Sequence, residues 1–255
     1  LKPVFFLTEK LDHFEVEGCP VYILGRELAR ELSSPFAMLQ DNTILIRREM
    51  LRYFLYDQIT EIRSSGKEAL NRSLSRYGLL DQGGKLLKER LPERLEAMVE
   101  GEMMAFIYHE IGEMQKKASD RAALRKFIQF FPGSVHEYLA RAVQDVLADT
   151  SEQGMMGYIV RERRETSLGF YVAWLDGLRQ VLFPEIREAA RNFFQTGDWE
   201  GVRQAVTTGR RHNLQRASLI RQLGRSLNST STDRIAAEFS EKLLKPLGLS
   251  GASPS

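Results

Sequence analysis

The sequence predicts a mainly α protein: one multi-helical domain with a small N-terminal β-hairpin or sheet layer, an α+β arrangement. Two observations predict it. Apolar residues after position 47 recur at helical spacing in one segment after another, whereas strand-like runs occur only before that position. An apolar share of 43% and a charged share of 27% are typical of a globular chain.

Extended segments are predicted near the N-terminus, at residues 3–7, 13–17, 20–24 and 42–46. Gly18 supplies a turn between the second and third of these runs. We expect residues 1–47 to form a small β-containing segment and residues 48–248 a helical body that folds with it as one domain. Residues 249–255 are expected to form a disordered tail.

Helical periodicity covers the rest of the chain and is interrupted at Gly and Pro positions. Ser134, with Glu137 three residues later, has the spacing of a capping box, and Asp198 is a second predicted N-cap. The predicted helices span 48–63, 67–78, 84–98, 99–117, 120–131, 134–150, 152–164, 167–182, 184–196, 198–207, 212–227 and 233–246.

Composition limits the classes of function. The net charge of +2 gives no chain-wide attraction to nucleic acid or to membranes, and no apolar run reaches the roughly 18 residues of a membrane span. The single cysteine, Cys19, excludes an internal disulfide framework and a cysteine-based zinc site. These features predict a cytoplasmic protein without a membrane partner, and they leave homo-oligomerisation open.

The stretch from Tyr108 to Glu113 carries the clearest chemical signal. On a helix, His109 and Glu113 are four residues apart and therefore close enough to chelate one metal ion. Glu110 lies beside that line, where a carboxylate can activate a metal-bound water. The apolar run Met103–Tyr108 predicts that the segment is buried, and buried carboxylates need partners.

This stretch resembles the active-site helix of the zincin metallopeptidases, in which an apolar run leads into His-Glu-Ile-Gly-His. The resemblance implies that His109 and Glu113 are metal ligands, that Glu110 is the general base and that Glu137 is the third ligand. The extended segment 42–46 is similar to the edge strand with which such enzymes hold substrate.

The chain departs from the zincin pattern where Glu113 replaces the second histidine. One imidazole with several carboxylates suits Mn²⁺ or Fe²⁺ at least as well as Zn²⁺, so the expected cofactor is one divalent ion of these three. His109-Glu-Ile-Gly is also similar to the His-Asp-Ile-Gly core of the HD phosphohydrolases. That family needs an earlier histidine as its first metal ligand. The histidine that precedes His109 in this chain is His13, which lies in a predicted strand, so this interpretation lacks its first ligand. The chain as a whole resembles helical bacterial families of unassigned function.

The predicted helix 134–150 has two interpretations. Glu137 or Asp145 could complete a metal site begun by His109. Alternatively, Glu137, Arg141 and Asp145, at successive steps of four residues, form an ordinary salt-bridged helix surface. The sequence favours the second interpretation and leaves the first open.

An arginine-rich segment supplies the main hypothesis without catalysis. Residues 201–232 contain no acidic side chain, and arginine binds phosphate well because its planar fork donates two hydrogen bonds. Aromatic residues for stacking on bases are absent from the segment, so nucleic-acid binding is not favoured. The candidate anion-binding residues are Arg210, Arg211, Arg216 and Arg221.

Two functions therefore remain open. One is a divergent, peptidase-like metal-dependent hydrolase with a carboxylate-rich site. The other is a non-catalytic helical interaction protein that binds an acidic or nucleic-acid partner through residues 203–225.

Overall fold

A small sheet followed by a series of helices makes up the part of the chain that the structure, a computed structural model, describes: residues 6–30, 35–61 and 66–249. The predicted fold class, mainly α with a small N-terminal β layer, is confirmed. The predicted tail beyond residue 249 and most of the predicted strand 3–7 lie outside the described residues.

Four strands form the described sheet in the order β1-β2-β4-β3. Two antiparallel hairpins, β1–β2 and β3–β4, are joined by parallel pairing of β2 with β4. Each hairpin closes through a two-residue turn with positive φ at both positions, which matches the twist of the paired strands: Glu17–Gly18 and Asp41–Asn42. The strands are β1 Phe6–Val16, β2 Cys19–Arg30, β3 Ala37–Gln40 and β4 Thr43–Arg47.

The helices of the described residues begin directly after β4. They are α1 Arg48–Thr60, α2 Lys67–Arg76, α3 Leu91–Met114, α4 Ala118–Phe130, α5 Val135–Asp149, α6 Met155–Arg161, α7 Glu165–Ala173, α8 Gly177–Leu182, α9 Pro184–Thr196, α10 Trp199–Ser226 and α11 Thr232–Phe239. Short 3₁₀ or π turns occur at Lys88–Arg90, Ser240–Leu244 and Lys245–Leu247. No helix of this part of the chain is both long and apolar enough to cross a membrane.

The chain divides into two compact units. Unit 1 comprises Leu1–Met114 and Glu152–Trp174, and it contains the sheet with α1, α2, α3, α6 and α7. Unit 2 comprises Gln115–Ser151 and Leu175–Ser255, and it contains α4, α5 and α8–α11. The predicted division at residues 47 and 48 coincides with the end of β4 and the start of α1, and as a domain boundary it stays a prediction.

Each unit has its own apolar core. In unit 1 the inner faces of β2 and β4 are covered by α1 and α3, and the fully buried side chains include Val21, Ile44, Ile46, Leu51 and Leu55. In unit 2 α10 packs on α4, α5 and α9 around Phe127, Val143, Phe183, Ile186 and Phe239.

Three predicted helix boundaries are wrong. The segments 84–98 and 99–117 are replaced by a short turn and the single helix α3. The segment 167–182 is broken at Trp174–Asp176 into α7 and α8. The predicted break at Gly209 is absent, and α10 runs through it, because the missing side chain lets the helix approach Phe183: a Cβ at Gly209 would clash with that ring.

Candidate functional site

The predicted His-Glu stretch lies in the last turns of α3, in unit 1. Glu110 is buried, with 8% of its surface exposed, and His109 and Glu113 are half-buried. The preceding apolar run is buried at Met103, Ile107 and Tyr108. The expected burial of this segment is therefore present.

Tyr108 anchors the turn of the first hairpin. Its hydroxyl donates to Glu17 Oε1 at 3.4 Å, and Gln153 Nε2 donates to the other oxygen of Glu17 at 3.1 Å. The Tyr108 ring stacks on Tyr158 with centroids 4.5 Å apart, and burial raises the pKa of its hydroxyl. The residue next to the predicted ligand His109 thus has a structural role.

A buried carboxylate that the sequence did not single out lies seven residues before His109. Glu102 is 2% exposed and accepts hydrogen bonds from Tyr77 Oη at 2.7 Å and Ser167 Oγ at 2.5 Å. Burial and the neighbouring Glu102 raise the pKa of Tyr77, so its hydroxyl remains a donor. The network joins the C-terminal end of α2 to α3 and α7, and both Glu102 oxygens have hydroxyl partners.

The backbone beside Glu102 is close-packed. A Cβ on Gly101 would clash with the Tyr77 hydroxyl, so glycine allows the close approach of this hydroxyl to α3. The Gly101 carbonyl accepts from Arg164 Nη2 at 2.5 Å. The polar groups around Glu102 therefore hold one another in position.

The remaining predicted ligands, Glu137 and Asp145, lie on α5 in unit 2. Glu137 accepts from the Gly133 backbone N–H at 2.8 Å and from Arg141 Nε at 2.7 Å, and these contacts lower its pKa, the Gly133 contact most. The Ser134 hydroxyl accepts from Glu137 N at 3.5 Å, as the predicted N-cap requires. Asp145 pairs with Lys116 at 3.9 Å. These contacts favour the salt-bridged helix surface over a ligand role.

Two findings bear on the zincin resemblance. Segment 42–46 corresponds to β4, which is an inner strand between β2 and β3, so the prediction of a substrate-holding edge strand is wrong. Within the described ranges, no group of three or more His, Cys, Asp or Glu side chains is arranged so that it could hold a metal ion.

The candidate anion-binding arginines are engaged inside unit 2, with one exception. Arg210 donates to the Leu147 carbonyl at 2.9 Å, and Arg216 donates to the Leu182 carbonyl at 3.2 Å. Arg221 pairs with the buried Asp120. Arg211 is exposed. The first three contribute to the packing of α10 on its neighbours, which favours a structural role.

A cleft between the first hairpin and the helices α1 and α3 is a concave surface that the sequence did not predict. It consists of two adjoining pockets of 180 and 350 Å³, which share Leu11 and Arg48. Its apolar lining is Leu11, Phe14, Ile23, Met103 and Met104. Leu11 is 48% exposed and lies against Gly25, where a Cβ would be 2.9 Å from Leu11 Cδ2.

Charged side chains surround this cleft. Acidic residues predominate: Glu9, Asp12, Glu49, Glu96 and Glu100. The basic residues are Arg26, Arg48 and Arg52. Arg48 Nη2 pairs with Glu96 at 2.9 Å and with Glu100 at 2.5 Å, and Arg52 pairs with Glu96 at 3.3 Å.

The sequence could not have revealed this cleft readily, because its walls come from residues about 90 positions apart in the chain. The one local signal is the methionine pair Met103–Met104. The apolar run that contains this pair predicts burial, whereas Met104 is half-buried and lines the cleft. Leu11 gave no signal, because isolated exposed leucines are common on protein surfaces.

Comparison with known proteins assigns the chain to a family without assigning an activity. Residues 1–47 match the N-terminal domain, and residues 52–242 the C-terminal domain, of a family of unknown function (DUF6866). Neither a curated protein nor a solved structure matches the chain. The match to the C-terminal domain alone covers more than half of the sequence. The chain therefore belongs to the DUF6866 family, a family of unknown function.

Proposed function

We propose that this protein is a non-catalytic interaction protein and that the cleft between the β1–β2 hairpin, α1 and α3 binds a segment of a partner protein. The observation that carries the proposal is the combination of an apolar lining with a charged rim in one concave surface of unit 1. Protein-binding sites commonly have an apolar centre surrounded by polar groups.

The character of the lining supports binding of a peptide segment. Met103 and Met104 are flexible and polarisable, and methionine is frequent on surfaces that accept side chains of differing shape. A volume of 350 Å³ accommodates one or two apolar side chains and is too small for a folded domain. A short segment with an apolar anchor is therefore the expected occupant.

The interactions of the buried acids also favour a role without chemistry. Glu102, Glu137 and Asp120 are buried, and each carboxylate accepts hydrogen bonds from groups of its own unit. Such contacts stabilise the fold and hold the carboxylates in place.

Selection from a random peptide library displayed on phage tests this function. We expect the immobilised protein to enrich one sequence pattern and Leu11→Glu to lose that enrichment, because a charge in the lining opposes burial of the anchor. Leu214→Glu is the matched control, since Leu214 lies in unit 2 and is 42% exposed against 48% for Leu11. No enrichment by the wild-type protein, or equal enrichment by Leu11→Glu, would contradict the proposal.

The metal-dependent hydrolase is the second candidate function. The burial of Glu110 favours it, because catalytic acids and bases are commonly held in water-poor surroundings. In this function His109 and Glu113 would hold a divalent ion, which would supply an activated water, and Glu110 would act as the general base. Metal analysis of untagged protein tests it: about one equivalent, lost in His109→Ala, is the result that this function requires.

A further inference from the structure

We propose that the segment bound in the cleft is basic: an apolar anchor residue flanked by lysine or arginine. This inference rests on the proposed function and specifies the partner of the same site. It is argued from the charges around the cleft and from the way in which the arginines there are already paired.

The local charge is opposite in sign to the charge of the whole chain. Five acidic and three basic side chains line the two pockets, a difference of two negative charges, whereas the chain carries a net charge of +2. The acids Glu9, Asp12 and Glu49 are exposed. The cleft therefore attracts cations, and field lines are concentrated in concave surfaces.

The arginines do not reverse this sign. Arg48 pairs with both Glu96 and Glu100, and Arg52 also pairs with Glu96, so the four side chains form one neutral cluster between α1 and α3. Hydrogen bonding to Glu100 raises the pKa of Arg48, which keeps the pair ionised. The excess negative charge consequently belongs to Glu9, Asp12 and Glu49, set against Arg26.

The position of these acids fits an anchor in the apolar pocket. Leu11 lies between Glu9 and Asp12 in sequence and lines both pockets. An apolar side chain that contacts Leu11, Met103 and Met104 brings its neighbours in the partner close to these acids. Lysine or arginine at those neighbouring positions is attracted by the acids of the cleft, whereas glutamate is repelled by them.

Fluorescence anisotropy with three labelled peptides of equal length tests the inference. The first has a leucine-methionine anchor flanked by lysines, the second replaces the lysines by glutamates, and the third keeps the lysines and replaces the anchor by serines. The first peptide is expected to bind at least tenfold more tightly than either of the others at low salt. Its advantage over the glutamate peptide should shrink in 0.5 M salt because exposed charges are screened.

Two charge-reversal variants locate the effect. The double variant Glu9→Lys with Glu49→Lys should weaken binding of the lysine peptide about tenfold at low salt and leave folding unchanged, since both residues are exposed. Glu152→Lys with Glu188→Lys makes the same change of charge at exposed positions that do not line the cleft. This control should bind like the wild-type protein.

The outcomes separate the inference from the function on which it rests. Equal or tighter binding of the glutamate peptide would overturn the basic partner while leaving a peptide-binding cleft. An equal loss in both double variants would overturn it too, because the attraction would then come from total charge. If no peptide binds and no library peptide is enriched, the proposed function itself fails.

Discussion

At the scale of single residues, the Glu102 network shows how a helix rich in apolar side chains accommodates a carboxylate. Glu102 is almost fully buried, and its carboxyl oxygens accept hydrogen bonds from the hydroxyls of Tyr77 and Ser167. A buried ionised group without such donors is strongly unfavourable. The two hydroxyls therefore allow α3 to carry this acid within unit 1.

Replacement of Glu102 should destabilise unit 1. Glu102→Ala removes the carboxylate that accepts from Tyr77 and from the buried Ser167, so the free energy of unfolding should fall by about 1–3 kcal/mol. Glu102→Gln keeps one acceptor oxygen, so its free energy of unfolding should fall by less than that of Glu102→Ala. Trp174 reports on unit 1 and Trp199 on unit 2, so urea unfolding in a Trp199→Phe background isolates the effect. An unchanged urea midpoint in Glu102→Ala would contradict this role.

His136 gives unit 2 a pH-dependent stability. Its ring packs between Phe131 and Phe239, each with a centroid 5.0 Å away, and burial lowers its pKa. A histidine that binds its proton less tightly when folded contributes stability that is fully present above its unfolded pKa of about 6.5. That contribution is lost as the pH falls below this value.

The urea midpoint of unit 2 should therefore decrease between pH 7.5 and pH 5.5, and the decrease should be smaller in His136→Phe. The pKa values of the carboxyls of Glu137 and Glu200 are lowered from an already acidic range, so these groups do not change charge between pH 7.5 and pH 5.5. Trp199 fluorescence in a Trp174→Phe background measures the midpoint. The same pH dependence in His136→Phe as in the wild-type protein would refute the assignment.

The sequence predicted local residue roles and missed the distant ones, for a physical reason. Ser134 and Asp198 were predicted as N-caps and both accept backbone N–H groups at the predicted positions, because a cap contacts residues two or three positions away. The bond between Tyr77 and Glu102 joins residues 25 positions apart, at the end of α2 and within α3. No local pattern specifies such a contact.

At the scale of elements, glycine proved an ambiguous signal. Gly197 ends α9 in a left-handed conformation with a φ of 73°, as a helix-terminating glycine does. Gly209 lies inside α10, where its missing side chain admits Phe183 of the segment between α8 and α9. Only the packing partner distinguishes the two, and the partner is not visible in the sequence.

Two alanine substitutions in α10 should differ in sign. Gly209→Ala introduces a Cβ that clashes with Phe183, so it should destabilise unit 2 by about 1–3 kcal/mol despite the better helix propensity of alanine. Gly201→Ala places its Cβ 3.3 Å from the Asp198 carboxylate, which can move, and should be neutral or stabilising by up to about 1 kcal/mol. Thermal unfolding of both variants measures the difference, and equal stabilities would refute the packing argument.

The first strand of the first hairpin is longer than the sequence predicted. Two short strands, 3–7 and 13–17, were predicted, whereas β1 runs without interruption over Phe6–Val16. Charged residues in its middle obscured the strand signal, because β1 is an edge strand and exposes most of its side chains. The register shifts around Leu11 further break the alternation.

At the scale of the whole molecule, the chain order explains why the fold class was predictable and the site was not. The fold class was predicted from the helical periodicity and from the confinement of strand-like runs to the N-terminus. Both are local properties of the sequence. Each unit is formed from non-contiguous segments of the chain. The helices α6 and α7 belong to unit 1, although α4 and α5, which precede them in the sequence, belong to unit 2. The cleft combines residues of β1 and α3 that only this topology brings together.

The most direct test of the central claim, that the cleft in unit 1 binds a peptide segment, is hydrogen–deuterium exchange of the full chain with and without saturating lysine-flanked anchor peptide. We predict slower exchange in the fragments that cover residues 9–14 of β1 and 48–52 of α1, because both line the cleft. Exchange in α10 should be unchanged. Slowing confined to α10, or no change in residues 9–14 at saturation, would contradict the account.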